Sequence, residues 1–217
     1  MNRFEGAIFD LDGTLVDSMW VWEKIDLDFL GQRGLTVPDN IGKVTEGMSF
    51  TETAAYFKET FQLKESIQEI KELWIRMAVD YYSHEVLLKE GAMELLKHFK
   101  NSGMKIGLAT SCSRELLTAV LQQHKLEAYF DTIVTSCEVS KGKPNPDVYL
   151  KAAERLSIDP LKAIAFEDTV AGVMAAKAAG MTAVGLYDEA SHNHQEELRS
   201  IADIYVQSLT EIIQNHI

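Results

Sequence analysis

Positive charge is scarce in this chain: Lys and Arg number 21 against 33 Asp and Glu, and the formal net charge is −12. Nucleic acids and anionic membrane surfaces attract proteins mainly through Lys and Arg on phosphate, so neither is expected as a partner. An anionic small molecule would need a bound cation and a few well-placed donors, because diffuse surface charge is screened beyond roughly 8 Å in physiological salt. Cysteine is scarce as well. Cys112 and Cys137 lie far apart and form no CxxC pair, which suggests neither a disulfide framework nor a zinc site. Long apolar runs are missing. The stretch that follows Met1-Asn2-Arg3-Phe4 is interrupted by Asp10 and Asp12, too early for a signal peptide or a membrane span, and a cytoplasmic location is expected. There is no internal repeat, low-complexity tract or long linker.

What is present describes an ordinary globular chain. Hydrophobic residues make up 46% and charged residues 25%, enough to bury a sizeable core. A length of 217 residues allows one large domain, or a core with a smaller domain inserted in it.

Apolar runs of strand length recur at Gly6–Phe9, Lys105–Ala109, Thr132–Thr135, Ala163–Phe166, Ala183–Leu186 and Ile204–Val206. Their apolarity is continuous rather than alternating, which fits strands buried on both faces. Helical stripes lie between most of them: Leu116, Leu117, Val120 and Leu121 form one, and Val148, Leu150, Ala152, Ala153 and Leu156 another. Asn145 before Pro146 reads as a helix N-cap with proline at the first helical position. Strands alternating with helices predict an α/β fold, a doubly wound parallel sheet. The stretch from about Ser18 to Glu90 differs, offering helix after helix and no convincing strand. Ile67, Ile70, Leu73, Trp74, Met77, Ala78 and Tyr81 keep helical spacing, as do Phe50, Ala54, Phe57 and Phe61. An inserted helical bundle is expected there.

Four polar clusters carry the candidate chemistry, and three of them close an apolar strand. The first strand delivers Asp10-Leu-Asp12-Gly-Thr. In a parallel sheet the carboxyl ends of strands face the ligand crevice, and residues two apart in an extended segment point the same way. Two carboxylates placed together repel unless a cation or shared proton relieves them; the plainer alternative is that both cap the following turn. Thr110 and Ser111 follow the next strand, where hydroxyls and free backbone N–H groups at a helix start suit a phosphate group. Routine N-capping by Ser113 explains that segment equally well. Lys141 and Lys143 compete in Ser140-Lys-Gly-Lys-Pro-Asn-Pro-Asp147 for the role of a lysine that neutralises Asp10 and a phosphoryl oxygen. Glu167 and Asp168 end another strand, where acids can complete an oxygen-ligand magnesium site, while Asp168 or Thr169 can also cap the next helix. His192 and His194 sit in a polar stretch with no third ligand at metal spacing and receive no role. Trp20 and Trp22 could line a substrate pocket, although helix aromatics are more often packing.

Taken in order, Asp10-x-Asp12-Gly-Thr-Leu-Val-Asp-Ser, Thr110-Ser111, Gly142-Lys143-Pro-Asn-Pro-Asp and Glu167-Asp168-Thr-Val-Ala-Gly resemble the four motifs of the haloacid dehalogenase-like superfamily. Within it the likeness is to the group of beta-phosphoglucomutase and small sugar-phosphate phosphatases, and it spans nearly the whole chain. The resemblance implies a Rossmann-like core at 1–16 and 91–217 with a helical cap inserted at 17–90. It implies Asp10 as nucleophile, Asp12 as general acid/base, and Thr110 and Lys143 as phosphate holders beside Ser111. Magnesium would be bound by Asp10, the backbone carbonyl of Asp12, and Asp168, with Glu167 contributing directly or one step removed. The beta-phosphoglucomutase group carries a histidine and an arginine where this chain has Trp22 and the Phe50 of Gly47-Met-Ser-Phe50. The expected activity is therefore hydrolysis of a small phosphorylated metabolite, with a phosphosugar mutase as the alternative. A non-catalytic binder would have no need of a nucleophile beside an acid/base. The sequence leaves oligomeric state open and is compatible with a monomer.

Overall fold

The first strand, Gly6–Phe9 (β1), is buried along its whole length, as its unbroken apolarity predicts. The computed structural model describes residues 4–38, 40–45, 48 and 50–215. Gly47 and Ser49 of the segment ending at Phe50 therefore lie outside the described residues. The chain divides into two compact units: one runs to Met19 and resumes at Val86, and the other is Trp20–Glu85. No helix among the described residues is long and apolar enough to cross a membrane.

After β1 the first unit continues through a short strand, Val16–Asp17 (β2). The described residues of the unit Trp20–Glu85 form helices and their connections, with α1 at Trp20–Gly31, α2 at Ile41–Thr45, α3 at Phe50–Thr60 and α4 at Ile67–His84. Its interior is aromatic: Trp74 of α4 stands edge-on to Phe57 of α3 at 4.9 Å and to Phe29 of α1 at 5.6 Å between ring centroids. The start of α4 is fixed by a reciprocal cap, in which the Ser66 hydroxyl accepts from Glu69 N and the Glu69 carboxylate accepts from Ser66 N.

The first unit then runs through Leu87–Leu88 (β3), Ala92–Asn101 (α5), Lys105–Thr110 (β4), Arg114–His124 (α6), Thr132–Thr135 (β5) and Asp147–Leu156 (α7). It ends with Ala163–Glu167 (β6), Val170–Ala178 (α8), Thr182–Leu186 (β7), Gln195–Ile201 (α9), Ile204–Val206 (β8) and Thr210–Gln214 (α10). Six strands form one parallel sheet in the order β5-β4-β1-β6-β7-β8, which is the expected α/β class. Strand order changes direction at β1, so the carboxyl ends of β1, β4 and β6 border the crevice where ligands bind in such sheets.

Three local readings need correction. Leu87–Leu88 is a strand, paired antiparallel with Val16–Asp17; two residues are too few to leave a pattern in the sequence. Asn145 does not cap α7, which begins at Asp147 without a side-chain cap, and its amide instead donates to Gly142 O across the loop. The buried face of α7 is Val148, Tyr149, Ala152, Ala153 and Leu156, whereas Leu150 is 41% exposed. Tyr149, Ala152, Ala153 and Leu156 keep the i, i+3, i+4, i+7 spacing that Leu150 breaks.

One face of the sheet packs through Phe9, Phe166 and Phe99 of α5, with Phe9 and Phe166 stacked at 4.5 Å and Phe99 within 6.2 Å of both. Phe99 is 2% exposed. Phe99→Ala should therefore lower unfolding free energy by about 3–5 kcal/mol in urea titration, the usual range for a buried phenylalanine. A loss under about 1 kcal/mol would mean that this face can collapse around the void.

Candidate active site

Hydrogen bonding carries β1 one residue past its end, since Asp10 N donates to Phe166 O at 3.0 Å. Asp10 thus emerges at the carboxyl edge beside Glu167 and Asp168, which close β6. The chain turns sharply next: the amides of Thr14, Leu15 and Val16 all point at Leu11 O, and Gly13 takes φ +73°. A side chain at Gly13 would place its Cβ 2.2 Å from Asp168 Oδ2. The turn therefore requires glycine for its conformation and for the close approach of an acid.

Asp10, Glu167 and Asp168 are all buried, and each offers an oxygen within 4.8 Å of the others. Lys143, from the loop before α7, enters this cluster. Its Nζ donates to Asp10 Oδ1 at 2.6 Å and lies 2.5 Å from Glu167 Oε1. The Tyr149 hydroxyl donates to the same Glu167 oxygen at 2.5 Å. Thr14 Oγ1 donates to Asp168 Oδ1 at 3.0 Å, while Asp168 Oδ2 is buried with no hydrogen-bond partner among the described residues. Asp12 is held from the other side by Ser18 Oγ, 2.6 Å from its Oδ1.

The remaining sequence candidates fall as follows. Thr110 ends β4, is 1% exposed, and accepts from Cys112 N with its hydroxyl oxygen. Ser111 is exposed on the loop beyond, and Ser113 caps α6 by accepting from Leu116 N. Thr169, not Asp168, caps α8, accepting from Gly172 N at 3.1 Å. Lys141 is exposed, whereas the side chain of Lys143 keeps only 9% exposure. Cys112 is buried and Cys137 exposed, both as free thiols. His192 and His194 lie in an exposed 3₁₀ turn. Trp20 packs edge-on against Tyr81, and Trp22 against Phe50. Tyr149 and Thr14 were absent from the sequence candidates. The apolar stripe expected for α7 took Leu150 in place of Tyr149, and no sequence pattern marks a hydroxyl aimed at an acid.

Electrostatics set the demand of this site. Burial is the largest influence on Asp10 and raises its pKa; Lys143 opposes, Glu167 and Asp12 add to the rise, and the result is about 7. Burial, then the charges of Asp10 and Glu167, push Asp168 well above the carboxylate range against the opposing Thr14 bond. Burial pulls the Lys143 ammonium down, but Asp10 and Glu167 outweigh it and hold it above the ordinary lysine value. One cation thus stands among three buried acids, and further positive charge is needed before all can ionise. A hard divalent ion fits. The donors are carboxylate oxygens, and the orphaned Asp168 Oδ2 is a buried acceptor of the kind such an ion satisfies.

The sign of the pH dependence follows. Asp10 and Asp168 hold protons in the folded chain at pH values where the unfolded chain has released them, so metal-free stability should fall as pH rises from about 4 to about 7. Metal competes with those protons, so magnesium should stabilise more at about pH 8 than at about pH 5. At hundredfold excess over its dissociation constant the gain is about 2.7 kcal/mol, a rise of roughly 5–10 °C in unfolding temperature for a chain of this size. Thermal scans with magnesium and with chelator at both pH values check this. Equal shifts at the two would contradict a carboxylate-held ion.

The sequence matches the family model of the haloacid dehalogenase-like hydrolases over residues 7–186. It is 31% identical over 212 residues to hexitol phosphatase B of Escherichia coli K12, covering 95% of this chain and 93% of that one. It is 33% identical to beta-phosphoglucomutase of Bacillus subtilis, covering 84% and 83%. A crystal structure of a Thermotoga maritima protein provisionally named a beta-phosphoglucomutase superposes with TM-score 0.88 at 27% identity, covering 98% of this chain and all of that one.

Proposed function

Because the chain belongs to the haloacid dehalogenase-like hydrolase family, we propose that it is a magnesium-dependent phosphomonoester hydrolase acting on a phosphorylated carbohydrate in the cytoplasm. The observation that carries this reading is the placement of Lys143 between Asp10 and Glu167 at the carboxyl edge of the sheet, beside the orphaned oxygen of Asp168. The carbohydrate class is supported by the relative named hexitol phosphatase B.

Phosphoryl transfer depends on in-line positioning and on neutralising oxygen charge. Asp10 attacks phosphorus, the ester P–O bond breaks, and Asp12 gives its proton to the departing oxygen. Asp12, now ionised, takes a proton from water whose oxygen attacks the aspartyl phosphate, which releases inorganic phosphate and restores Asp10. Ser18 holds Asp12 through a hydrogen bond to its Oδ1, which orients the carboxyl group for these transfers. Lys143 and the Thr110 hydroxyl, with Ser111 nearby, hold the phosphoryl oxygens. Asp10, the Asp12 carbonyl and Asp168 would hold magnesium, which supplies Lewis-acid neutralisation of phosphoryl charge. We read the core as 1–16 with 91–217 and the helical unit as a cap over 17–90.

The mutase reading rests on the relative of that name in Bacillus subtilis. Against it, Trp22 and Phe50 meet edge-on at 5.6 Å and make one continuous aromatic surface, where the beta-phosphoglucomutase group has a histidine and an arginine. A mutase must grip both ends of a sugar phosphate while it reorients, and two aromatic rings supply no such grip. With beta-glucose 1-phosphate and a trace of the bisphosphate, glucose 6-phosphate should form at less than about a hundredth of the rate at which the best phosphomonoester releases phosphate. Efficient glucose 6-phosphate formation without matching phosphate would favour the mutase. Asp10→Asn should cut phosphate release by at least about 10⁴-fold, since an amide is a poor nucleophile. Retention of a tenth of the activity would remove Asp10 from its role.

A further inference from the structure

Tyr149 sits in the first turn of α7 with no exposed surface, packed in the core with Val148, Ala152 and Val173. Phenylalanine would fill the same space without carrying a hydroxyl into a dry interior, where an unpaired one costs about 1–3 kcal/mol. The hydroxyl is not unpaired. It donates to Glu167 Oε1 at 2.5 Å, the oxygen that also lies 2.5 Å from Lys143 Nζ. The ring of Tyr149 lies beneath that ammonium, 5.4 Å from centroid to Nζ. The other Glu167 oxygen accepts from the Thr169 hydroxyl at 3.4 Å.

We infer that Tyr149 is a positioning residue for phosphoryl transfer: its hydroxyl fixes Glu167, and Glu167 thereby holds Lys143 against Asp10. This rests on the reading of Asp10 as the attacking group. Lysine ends a flexible stem whose ordering is costly, and one contact to Asp10 leaves the ammonium free to swing about it. The second contact, to Glu167, sets its direction, provided Glu167 is itself fixed. Gly172 presses from the far side, since a Cβ there would fall 1.9 Å from Glu167 Oε2. Tyr149 fixes Oε1. Glu167 has two claims upon it: it is one of three acids whose oxygens cluster closely enough for a cation, and it anchors Lys143. Two donors converging on Oε1 commit it to the second role and leave Asp10 and Asp168 for the ion. Without the hydroxyl, Glu167 can turn toward the ion and draw Lys143 away from Asp10.

Tyr149→Phe removes the hydroxyl and keeps the ring. It should lower kcat about tenfold with KM within about twofold, because Lys143 stays within reach of the bound phosphoryl group but is misaligned with the charge that develops there in the transition state. In a Glu167→Gln background the same change should cost less than about twofold, the non-additivity expected of residues acting through one another. A second readout needs neither metal nor substrate. In chelated wild-type protein the buried, doubly paired Lys143 ammonium should give a slowly exchanging NMR signal, and that signal should be lost in both Tyr149→Phe and Glu167→Gln. Equal losses of kcat from Tyr149→Phe in both backgrounds, or an unchanged Lys143 signal, would overturn the assignment. If wild-type protein hydrolysed no phosphomonoester, the proposed function would fail while the Lys143 signal still decided the role of Tyr149.

Discussion

A single buried ammonium among three buried carboxylates is the constraint on which the rest of this molecule depends. Lys143 bridges Asp10 and Glu167, and Asp168 is left with an oxygen that has no hydrogen-bond partner among the described residues. Burying acids in this way is unfavourable unless their charge is met. Lys143 meets part of it, and the remaining deficit is one that a hard cation would meet. On the proposed reading, a chain with net charge −12 would hold an anion through an attraction that is local and dry rather than spread over its surface.

The parallel sheet exists, in functional terms, to bring these groups to one edge. β1 and β6 run side by side in register, Phe9 opposite Phe166, so the residues that follow, Asp10 and Glu167, are neighbours by construction. The aromatic stack of Phe9, Phe166 and Phe99 directly beneath them gives that edge a rigid floor. Gly13 and Gly172 let the backbone pass close to Asp168 and Glu167, where a Cβ would collide with each carboxylate. The short β2–β3 ribbon is tied to the same unit: Lys89 N donates to Leu15 O at 2.9 Å, and its Nζ pairs with the buried Asp188 beyond β7 at 2.7 Å.

Much of this was legible in the residues, for identifiable reasons. Gly6–Phe9, Thr132–Thr135 and Ile204–Val206 form strands at the expected bounds because each is a short apolar run closed by polar residues, although only Gly6–Phe9 is buried along its whole length. The Val16–Asp17 and Leu87–Leu88 strands escaped notice because two residues hold no period and are defined only by their partner. At the site, residue types at strand ends picked out Asp10, Glu167 and Asp168 as candidates, but Lys143 could be preferred to Lys141 only through family resemblance. Burial separates the two lysines. Tyr149 was out of reach in its role, since an aromatic residue on a buried helical face reads as packing until its hydroxyl is seen on Glu167. Thr14 is the same case on a smaller scale, a turn residue whose bond to Asp168 depends on a strand far along the chain.

On the proposed reading, Asp10, positioned by Lys143, forms a bond to phosphorus. The most direct measurement is acid quench of the magnesium-loaded protein during turnover of a phosphorylated carbohydrate, followed by proteolysis and mass spectrometry. A phosphoryl adduct on the peptide carrying Asp10, labile to hydroxylamine and absent from Asp10→Asn, is the predicted result. Steady release of phosphate with no adduct at any time, or an adduct on another residue, would contradict it.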